Sequence, residues 1–222
     1  MSTGARPDVV VLDLDGVLRR WDPAIMGRAE ARAGLPEGAL VAAALDDHEL
    51  LRDAVTGVLS DGEWRAEITR RLARRFGAAA EDAVAAWSHP AGEVDHDVLT
   101  LVREVRVAVP VALFSNATTR LPRDLDTLGL GTEVDVVISS AVLGLAKPDP
   151  AAFVEAARRC GRAPGDCLFV DDSAANVAGA RSVGMDAHEF TSPPALRALL
   201  VASGLIEDRP PGTRRGTELP AG

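Results

Sequence analysis

Short apolar runs that stop at polar residues constrain this chain more than any other feature of its sequence. Three of them are Val9–Leu12, Val111–Phe114 and Leu168–Val170. An uninterrupted apolar run of this length is typical of a strand that is buried on both faces, as in a parallel sheet. Beyond residue 94 such runs alternate with stretches of helical periodicity, which predicts a parallel sheet covered by helices on both sides.

The alternating part of the chain extends from residue 95 to residue 206. The expected elements are helices over 97–108, 121–128, 150–161, 174–184 and 194–204 and strands over 111–114, 134–138, 167–170 and 186–190. The predicted fold class is therefore α/β with a Rossmann-like parallel-sheet core.

A second pattern fills the stretch from Asp22 to Pro90, which is rich in Ala, Arg and Leu, has helical periodicity and shows no strand pattern. Ser60 and Glu63 have the spacing of a capping box at the start of a helix. The helix that they open carries one apolar stripe. The stripe consists of Trp64, Ile68, Leu72 and Phe76.

These patterns predict the domain organisation. A helical cap over residues 17–94 is inserted after the first strand of a core that comprises residues 8–16 and 95–206. The segment 207–222 is rich in Pro, Gly, Arg and Glu, and we expect it to form a disordered tail.

The bulk composition argues against several classes of partner. The chain has 222 residues, 47% of them hydrophobic, and no apolar run that is long enough to cross a bilayer. Its net charge of −9 disfavours nucleic acid, although a local lysine and a metal ion can still favour a small phosphorylated metabolite. Cys160 and Cys167 do not have the spacing of a disulfide framework or a metal site. Without a signal-peptide pattern, we expect a cytoplasmic protein.

Asp13 and Asp15 follow the first strand, and Gly16 allows the chain to turn sharply after them. One carboxylate can attack phosphorus and form an aspartyl-phosphate. A second can protonate the leaving oxygen and later take a proton from water. The residues alone leave open an alternative, in which the two aspartates only cap a helix and shape a turn.

Asp171 and Asp172 follow the apolar run Leu168–Val170 and could supply the other half of a magnesium site, since Mg²⁺ prefers carboxylate oxygens. We expect Asp172 to coordinate the ion directly, with Asp171 beside it or behind it. Asn176 lies one turn later and is expected to hold the loop in place. The alternative is that one of the aspartates only caps the helix that begins near Ala174.

Ser115 and Asn116 end another strand, where a hydroxyl group and backbone amides could hold the oxygens of a phosphoryl group. Lys147 precedes Pro148, which restrains its backbone. A lysine fixed in a short loop could neutralise the nucleophile and the phosphoryl group together.

Together these four motifs resemble, in kind and in order, the signatures of the haloacid dehalogenase-like hydrolase superfamily across about residues 9–190. The motifs are Asp13–Leu18, Ser115-Asn116, Lys147-Pro148 and Asp171-Asp172. The sequence around the last two is also similar to glucose-1-phosphate phosphatase-like enzymes and to the N-terminal phosphatase domain of soluble epoxide hydrolase. That branch carries a helical cap between its first and second motifs.

The resemblance implies a Mg²⁺-dependent phosphatase that acts on small phosphomonoesters through an aspartyl-phosphate. It makes Asp13 the nucleophile and Asp15 the general acid and base. Ser115 and Lys147 would bind the phosphoryl group. Asp13, the backbone carbonyl of Asp15 and Asp172 would hold Mg²⁺.

Three alternatives remain at this point. Phosphomutases of the superfamily keep all four motifs. Metal-free 2-haloacid dehalogenases generally lack the second aspartate, so Asp15 argues against them. A protein that binds a ligand or partner without turnover would not need the full catalytic set. The default substrate is a sugar phosphate or another small phosphomonoester. The candidate specificity residues are Arg19, Arg20, Trp21, Glu49, Arg52 and Trp64, the last of which is also expected to pack inside the cap.

Overall fold

A five-stranded parallel sheet forms the centre of the structure, a computed structural model that describes residues 6–208. The strands are β1 (Val9–Leu12), β2 (Arg19–Arg20), β3 (Glu93–Val94), β4 (Val111–Ser115), β5 (Val136–Ser139), β6 (Cys167–Asp171) and β7 (Asp186–Glu189). The large sheet has the order β5-β4-β1-β6-β7. The predicted α/β fold with a Rossmann-like parallel sheet is confirmed.

Eleven α-helices and one short 3₁₀ helix, Pro164–Asp166, complete the described part of the chain. The α-helices are α1 (Ile25–Ala33), α2 (Ala39–Ala44), α3 (His48–Val55), α4 (Asp61–Phe76), α5 (Ala79–Ser88), α6 (His96–Val105), α7 (Leu121–Leu128), α8 (Ser140–Leu143), α9 (Pro150–Arg159), α10 (Ala174–Ser182) and α11 (Pro193–Ala202).

The central strand β1 explains why its sequence is apolar without interruption. Successive side chains of a strand point to opposite faces of the sheet. Val10 and Leu12 pack with α6, α7 and α11 on one face. Val9 and Val11 pack with α9 and α10 on the other. Because both faces are covered, no position of β1 tolerates a polar side chain.

The helices α1–α5 share a separate apolar cluster, which includes Leu40, Ile68 and Ala83. The antiparallel pair of β2 and β3 joins this helical region to the sheet, with Arg19 opposite Val94. The predicted capping box of α4 is confirmed, since Ser60 and Glu63 each bond to the backbone of the other. In its predicted stripe Trp64, Ile68 and Leu72 are buried, while Phe76 is partly buried.

Most predicted elements agree with the structure within one to three residues, and α7 has the predicted bounds. The strand predicted over 134–138 begins only at Val136, because residues 131–135 form a turn and a bend, in which the backbone N–H of Glu133 bonds to the carbonyl of Leu130. Val134 is buried without belonging to a strand. The short elements β2, β3 and α8 were not predicted.

The division into a core and a cap over 17–94 stays a prediction. The tail expected over 207–222 lies outside the described residues from position 209 onwards. Within residues 6–208, no helix combines the length and the apolar character that a bilayer crossing requires.

Candidate active site

The polar motifs meet at the carboxyl edge of the sheet because β4, β1 and β6 are neighbours. The register places Leu12 beside Leu113 on one side and beside Val170 on the other. The polar residues that end or follow these three strands, Asp13, Ser115 and Asp171, therefore lie close together. This edge is where ligand sites form in open α/β sheets.

Lys147 joins these strand ends from the loop between α8 and α9. Its Nζ donates to Oδ1 of Asp13 at 2.7 Å, to Oδ2 of Asp171 at 2.6 Å and to the carbonyl of Phe114 at 2.8 Å. These three acceptors use all three N–H groups of the ammonium. The residue is only 5% exposed. Lys147 therefore belongs to the site and not to the solvated surface.

Asn116 holds the Lys147 loop in place. Its Nδ2 donates to the carbonyl of Lys147 at 2.7 Å, and its Oδ1 accepts from the backbone N–H of the same residue at 2.9 Å. Any contact of Asn116 with a phosphoryl group would therefore go through its backbone, while its side chain positions the lysine.

Asp171 is fully buried, and both of its oxygens are occupied. Besides Lys147, it accepts from the backbone N–H of Ser173 at 2.8 Å and from Nδ2 of Asn176 at 3.0 Å. The predicted role of Asn176 in holding the loop is confirmed. The side chain that caps α10 is Ser173, so the alternative that an aspartate serves as the cap is wrong.

Asp172 is exposed and lies against Gly16, which has φ +82°. A Cβ at Gly16 would approach Oδ2 of Asp172 to 1.9 Å, so only glycine leaves room for this carboxylate. Asp13, Asp171 and Asp172 each offer an oxygen, and these oxygens lie within 4.8 Å of one another. Three hard oxygen donors around one space fit a divalent cation.

Within this acidic cluster Asp13 and Asp172 stay the predicted metal ligands, whereas the oxygens of Asp171 already accept from Lys147, Ser173 and Asn176. The carboxylate of Asp15 is engaged elsewhere, and the contribution of its backbone carbonyl stays a prediction.

Burial and crowding of negative charge perturb the carboxyl groups of this cluster. Burial, with a further contribution from Asp171, raises the pKa of Asp13 from 3.8 to about 7 against the opposing effect of Lys147. Burial and the charge of Asp171 also raise the pKa of Asp172. One ammonium group does not balance three carboxylates, so the site has room for further positive charge.

Ser115 is 1% exposed, and its Oγ has no hydrogen-bond partner among the described residues. A buried hydroxyl without a partner is costly, and it is rare in native structures. Its place at the end of β4 fits a donor for an oxygen of a bound anion.

Asp15 is held on the opposite side of the turn by two neighbours. Arg19 donates from Nε to Oδ1 at 2.6 Å and from Nη2 to Oδ2 at 2.8 Å, and Nε1 of Trp21 donates to Oδ1 at 2.6 Å. Nη1 of Arg19 also reaches Asp124 at 3.1 Å, and Arg120 donates to the same carboxylate at 2.7 Å. These contacts make Asp15 part of an ion-pair network, and the first helix begins only at Ile25, so the alternative that Asp13 and Asp15 cap a helix is wrong.

The profile of haloacid dehalogenase-like hydrolases matches residues 7–184. The chain belongs to the haloacid dehalogenase-like hydrolase family. The predicted resemblance is confirmed, and the protein is an enzyme.

Two curated relatives of this hydrolase carry phosphatase names. Phosphoglycolate phosphatase 1 of Pseudomonas aeruginosa is 32% identical over 197 residues, which cover 81% of this chain and 67% of the relative. A phosphatase of Mycobacterium tuberculosis is 51% identical, but only over 55 residues, so that the match covers a quarter of either protein. These relatives support the phosphatase branch of the family.

A solved structure with the same fold is a haloacid dehalogenase family enzyme of Bacteroides thetaiotaomicron in complex with magnesium and inorganic phosphate. It superposes with a TM-score of 0.69 at 20% identity, over 83% of this chain and 94% of that enzyme. At this identity the likeness establishes the fold.

A cavity of about 830 Å³ lies between the helical region of the hydrolase and the carboxyl edge of its sheet. Asp15 and Asn116 line it at the sheet end. Of the predicted specificity residues, Arg19, Trp21 and Trp64 also line the cavity. The remaining candidates, Arg20, Glu49 and Arg52, are not among the lining residues, so the cavity does not support them as specificity residues.

Sequence reasoning missed Asp124, Arg120 and Trp87 as parts of this site. The partner of Arg19, Asp124, is 105 positions away, and no local pattern indicates such a pairing.

Proposed function

We propose that this hydrolase is a Mg²⁺-dependent phosphatase of small phosphomonoesters that works through an aspartyl-phosphate on Asp13. The observation that carries the proposal is the buried ion pair of Asp13 and Lys147 beside the unpartnered hydroxyl of Ser115. A carboxylate, an ammonium group and a free hydroxyl donor at one strand edge supply a nucleophile and two ligands for phosphoryl oxygens. The phosphatase names of the curated relatives support the same reaction class.

In the first step, an oxygen of Asp13 attacks phosphorus and the bond from phosphorus to the leaving oxygen breaks. Asp15 gives its proton to that oxygen, which leaves as the alcohol. Arg19 and Trp21 set the orientation of the Asp15 carboxyl group. Nζ of Lys147, already 2.7 Å from Asp13, lies where it can contact both the nucleophile and the transferred group.

In the second step, water attacks the phosphorus of the aspartyl-phosphate, and Asp15 takes the proton of the water. The bond from phosphorus to Asp13 breaks, which releases inorganic phosphate and restores the carboxylate. The hydroxyl of Ser115 and the ammonium of Lys147 donate to the phosphoryl oxygens in both steps.

Asp13 and Asp172 would hold the magnesium ion, together with the backbone carbonyl of Asp15. When bound, Mg²⁺ supplies positive charge that offsets the crowded carboxylates and the phosphoryl oxygens. The carboxylate oxygens of Asp171 accept hydrogen bonds from Lys147, Ser173 and Asn176. Asp171 therefore positions the lysine and the loop that carries Asp172.

The direct test is Asp13→Asn, with Asp46→Asn as the matched control because Asp46 is an exposed aspartate of the helical region. An amide cannot attack phosphorus, so hydrolysis of p-nitrophenyl phosphate should fall by more than ~10³-fold, as loss of a nucleophile does in other enzymes. Acid quenching of the parent during turnover with radiolabelled substrate should trap phosphate on the protein. Near-parental hydrolysis by Asp13→Asn would overturn the proposal.

Two further assays separate the alternatives. A phosphomutase would convert glucose 1-phosphate to glucose 6-phosphate without release of inorganic phosphate. A metal-free dehalogenase would release halide from 2-haloacids in excess chelator. Either result, in the absence of phosphatase turnover, would replace the proposed function.

A further inference from the structure

The cavity above Asp15 is large for the smallest substrates of this reaction class. At about 830 Å³, it lies in the upper part of the range of pockets that enclose drug-sized ligands, roughly 300–1,000 Å³. A two-carbon leaving group such as glycolate would leave most of this space unfilled. The volume therefore points to a larger group attached to the phosphate.

The walls that the helical region contributes are largely apolar. They include Ile25, Met26, Val41, Leu45, Leu51 and Val55. Val41 and Leu45 are 37% and 39% exposed, and Trp21 near the sheet end is 38% exposed. A ligand that covers these uncovered apolar side chains gains free energy by removing them from water.

Two tryptophans add an aromatic surface to the same cavity. The rings of Trp64 and Trp87 meet edge to face with centroids 5.5 Å apart. The guanidinium of Arg65 lies over both rings, at 5.3 Å from the first and 4.9 Å from the second. Trp64 is only 5% exposed and Trp87 is partly exposed, so an aromatic ring of a ligand would pack mainly against Trp87.

The cations that line the cavity are already paired. Arg19 and Arg120 share the carboxylate of Asp124. Arg65 pairs with Asp61 at 2.8 Å. The carboxylates that line the cavity are Asp15, Asp22, Glu30, Glu37 and Asp124. Among the lining residues of the described chain, carboxylates outnumber guanidinium groups, so a second anionic group on a substrate would find repulsion instead of a free cation.

We propose that the leaving group of this enzyme is bulky, apolar and uncharged, an aryl or arylalkyl alcohol that lies in the cavity with its oxygen toward Asp15. This inference rests on the proposed phosphatase function and specifies its substrate class. It also sets the enzyme apart from the relative named for phosphoglycolate, because that substrate carries a second anionic group and little apolar surface.

The test compares three substrates of graded character: benzyl phosphate, 4-carboxybenzyl phosphate and 2-phosphoglycolate. The first two have benzylic leaving groups of similar reactivity and differ in one carboxylate. We expect kcat/KM for benzyl phosphate to exceed that for either of the others by about ten-fold or more, the scale on which pockets discriminate one group. Titration calorimetry with benzylphosphonate and 4-carboxybenzylphosphonate measures the same preference as binding, without turnover.

Val41→Lys places a cation in the apolar wall, and Leu45→Lys repeats the change at a second position in case the first variant does not fold. Both should reduce the preference for benzyl phosphate over 4-carboxybenzyl phosphate by about ten-fold. Val58→Lys is the matched control, because Val58 is 70% exposed and does not line the cavity. It should leave the preference unchanged.

Two outcomes would overturn the inference: a parent enzyme that prefers either competitor with a second anionic group, or a ratio that neither lysine variant alters. Acetyl phosphate, which has no group to fill the cavity, serves as the generic substrate. Turnover of acetyl phosphate without the expected preference contradicts only the substrate class. If neither acetyl phosphate nor p-nitrophenyl phosphate is hydrolysed, the proposed phosphatase function is wrong as well, and the phosphonate titrations still decide whether the cavity prefers the apolar group.

Discussion

The carboxyl edge of the sheet and the wall of the cavity differ in how their charged groups are paired. At the sheet edge, one ammonium group faces the three carboxylates of the acidic cluster, and the buried hydroxyl of Ser115 has no partner. In the cavity wall the three guanidinium groups are paired, and much of the remaining surface is apolar. The first region has unused capacity for a cation and an anion, whereas the second offers shape, apolar surface and one neutral donor without a partner among the described residues, Nε1 of Trp64.

This difference indicates a division of labour. A buried polar group without a partner costs about 1–3 kcal/mol, so a fold keeps one mainly where a ligand completes it. Paired charges in the cavity wall carry no such deficit and attract no further ion. We therefore expect changes at the sheet edge to affect every substrate and changes in the cavity wall to affect substrates selectively. Four predictions test this expectation.

The largest effect is expected from removal of the metal ion. Excess chelator should abolish phosphatase activity and Mg²⁺ should restore it, since one lysine cannot offset three carboxylates. At 100-fold excess over its Kd, Mg²⁺ should raise the free energy of unfolding by about 2.7 kcal/mol, as measured by urea denaturation. Asp172→Ala should lose this stabilisation, whereas Glu37→Ala, a carboxylate of the cavity wall, should keep it. Full activity in excess chelator would contradict the claim that the sheet edge needs a divalent cation.

The next largest effect is expected at Lys147, which contacts both Asp13 and Asp171. Lys147→Ala should lower kcat/KM by about 10²–10³-fold and by one factor across the whole substrate panel. It should also reduce the free energy of unfolding by about 3–5 kcal/mol, because a buried ion pair loses one partner.

Arg52→Ala is the control for that experiment, since Arg52 is an exposed cation of the helical region outside the cavity. It should leave both quantities unchanged. If Lys147→Ala instead reorders the substrates, the lysine takes part in selecting the leaving group, and the proposed division is wrong.

A third effect concerns pH and the stability of the metal-free protein. Burial and Asp171 raise the pKa of Asp13 to about 7 from 3.8. Between these values the folded protein keeps a proton that the unfolded chain has released. The resulting stabilisation is complete below pH 4 and is lost as the pH rises through 7, at no more than about 1.4 kcal/mol per pH unit.

Urea denaturation in chelator between pH 5 and pH 8 measures this slope. Asp13→Asn should flatten it, while Asp46→Asn in the helical region should retain the parental slope. An identical pH profile for the parent and Asp13→Asn would show that Asp13 is not the source of the pH dependence.

The smallest effect is expected at Trp21, which supplies one hydrogen bond to Asp15 at 2.6 Å. Trp21→Phe should lower kcat for benzyl phosphate by about three- to ten-fold, in line with about 0.5–1.5 kcal/mol for one hydrogen bond. Hydrolysis of p-nitrophenyl phosphate should change less, because its leaving group needs little protonation. Trp87→Phe, which lines the cavity without contact to Asp15, should affect both substrates alike. Equal losses for both substrates in Trp21→Phe would argue against a role of Trp21 in orienting the acid.

The sequence by itself determined the parallel sheet and the residues at its carboxyl edge. A strand such as Val9–Leu12, which is covered on both faces, must be apolar at every position. An uninterrupted apolar run therefore identifies such a strand without knowledge of its neighbours. The aspartates at 13, 171 and 172 follow directly from where those strands end. The capping box of Ser60 and Glu63 was equally readable, because both of its partners lie within one helical turn.

Only the tertiary structure decided which charges face each other. Arg19 resembled a substrate ligand in sequence, but it is held between Asp15 and Asp124. Arg52 resembled one too, and it lies at the surface outside the cavity. Periodicity reports whether a position is buried, and it carries no information about a partner 105 residues away. The pairing of Arg19 with Asp124 depends on how α7 packs beside the turn after β1. The same packing decides which charges of the cavity wall are paired.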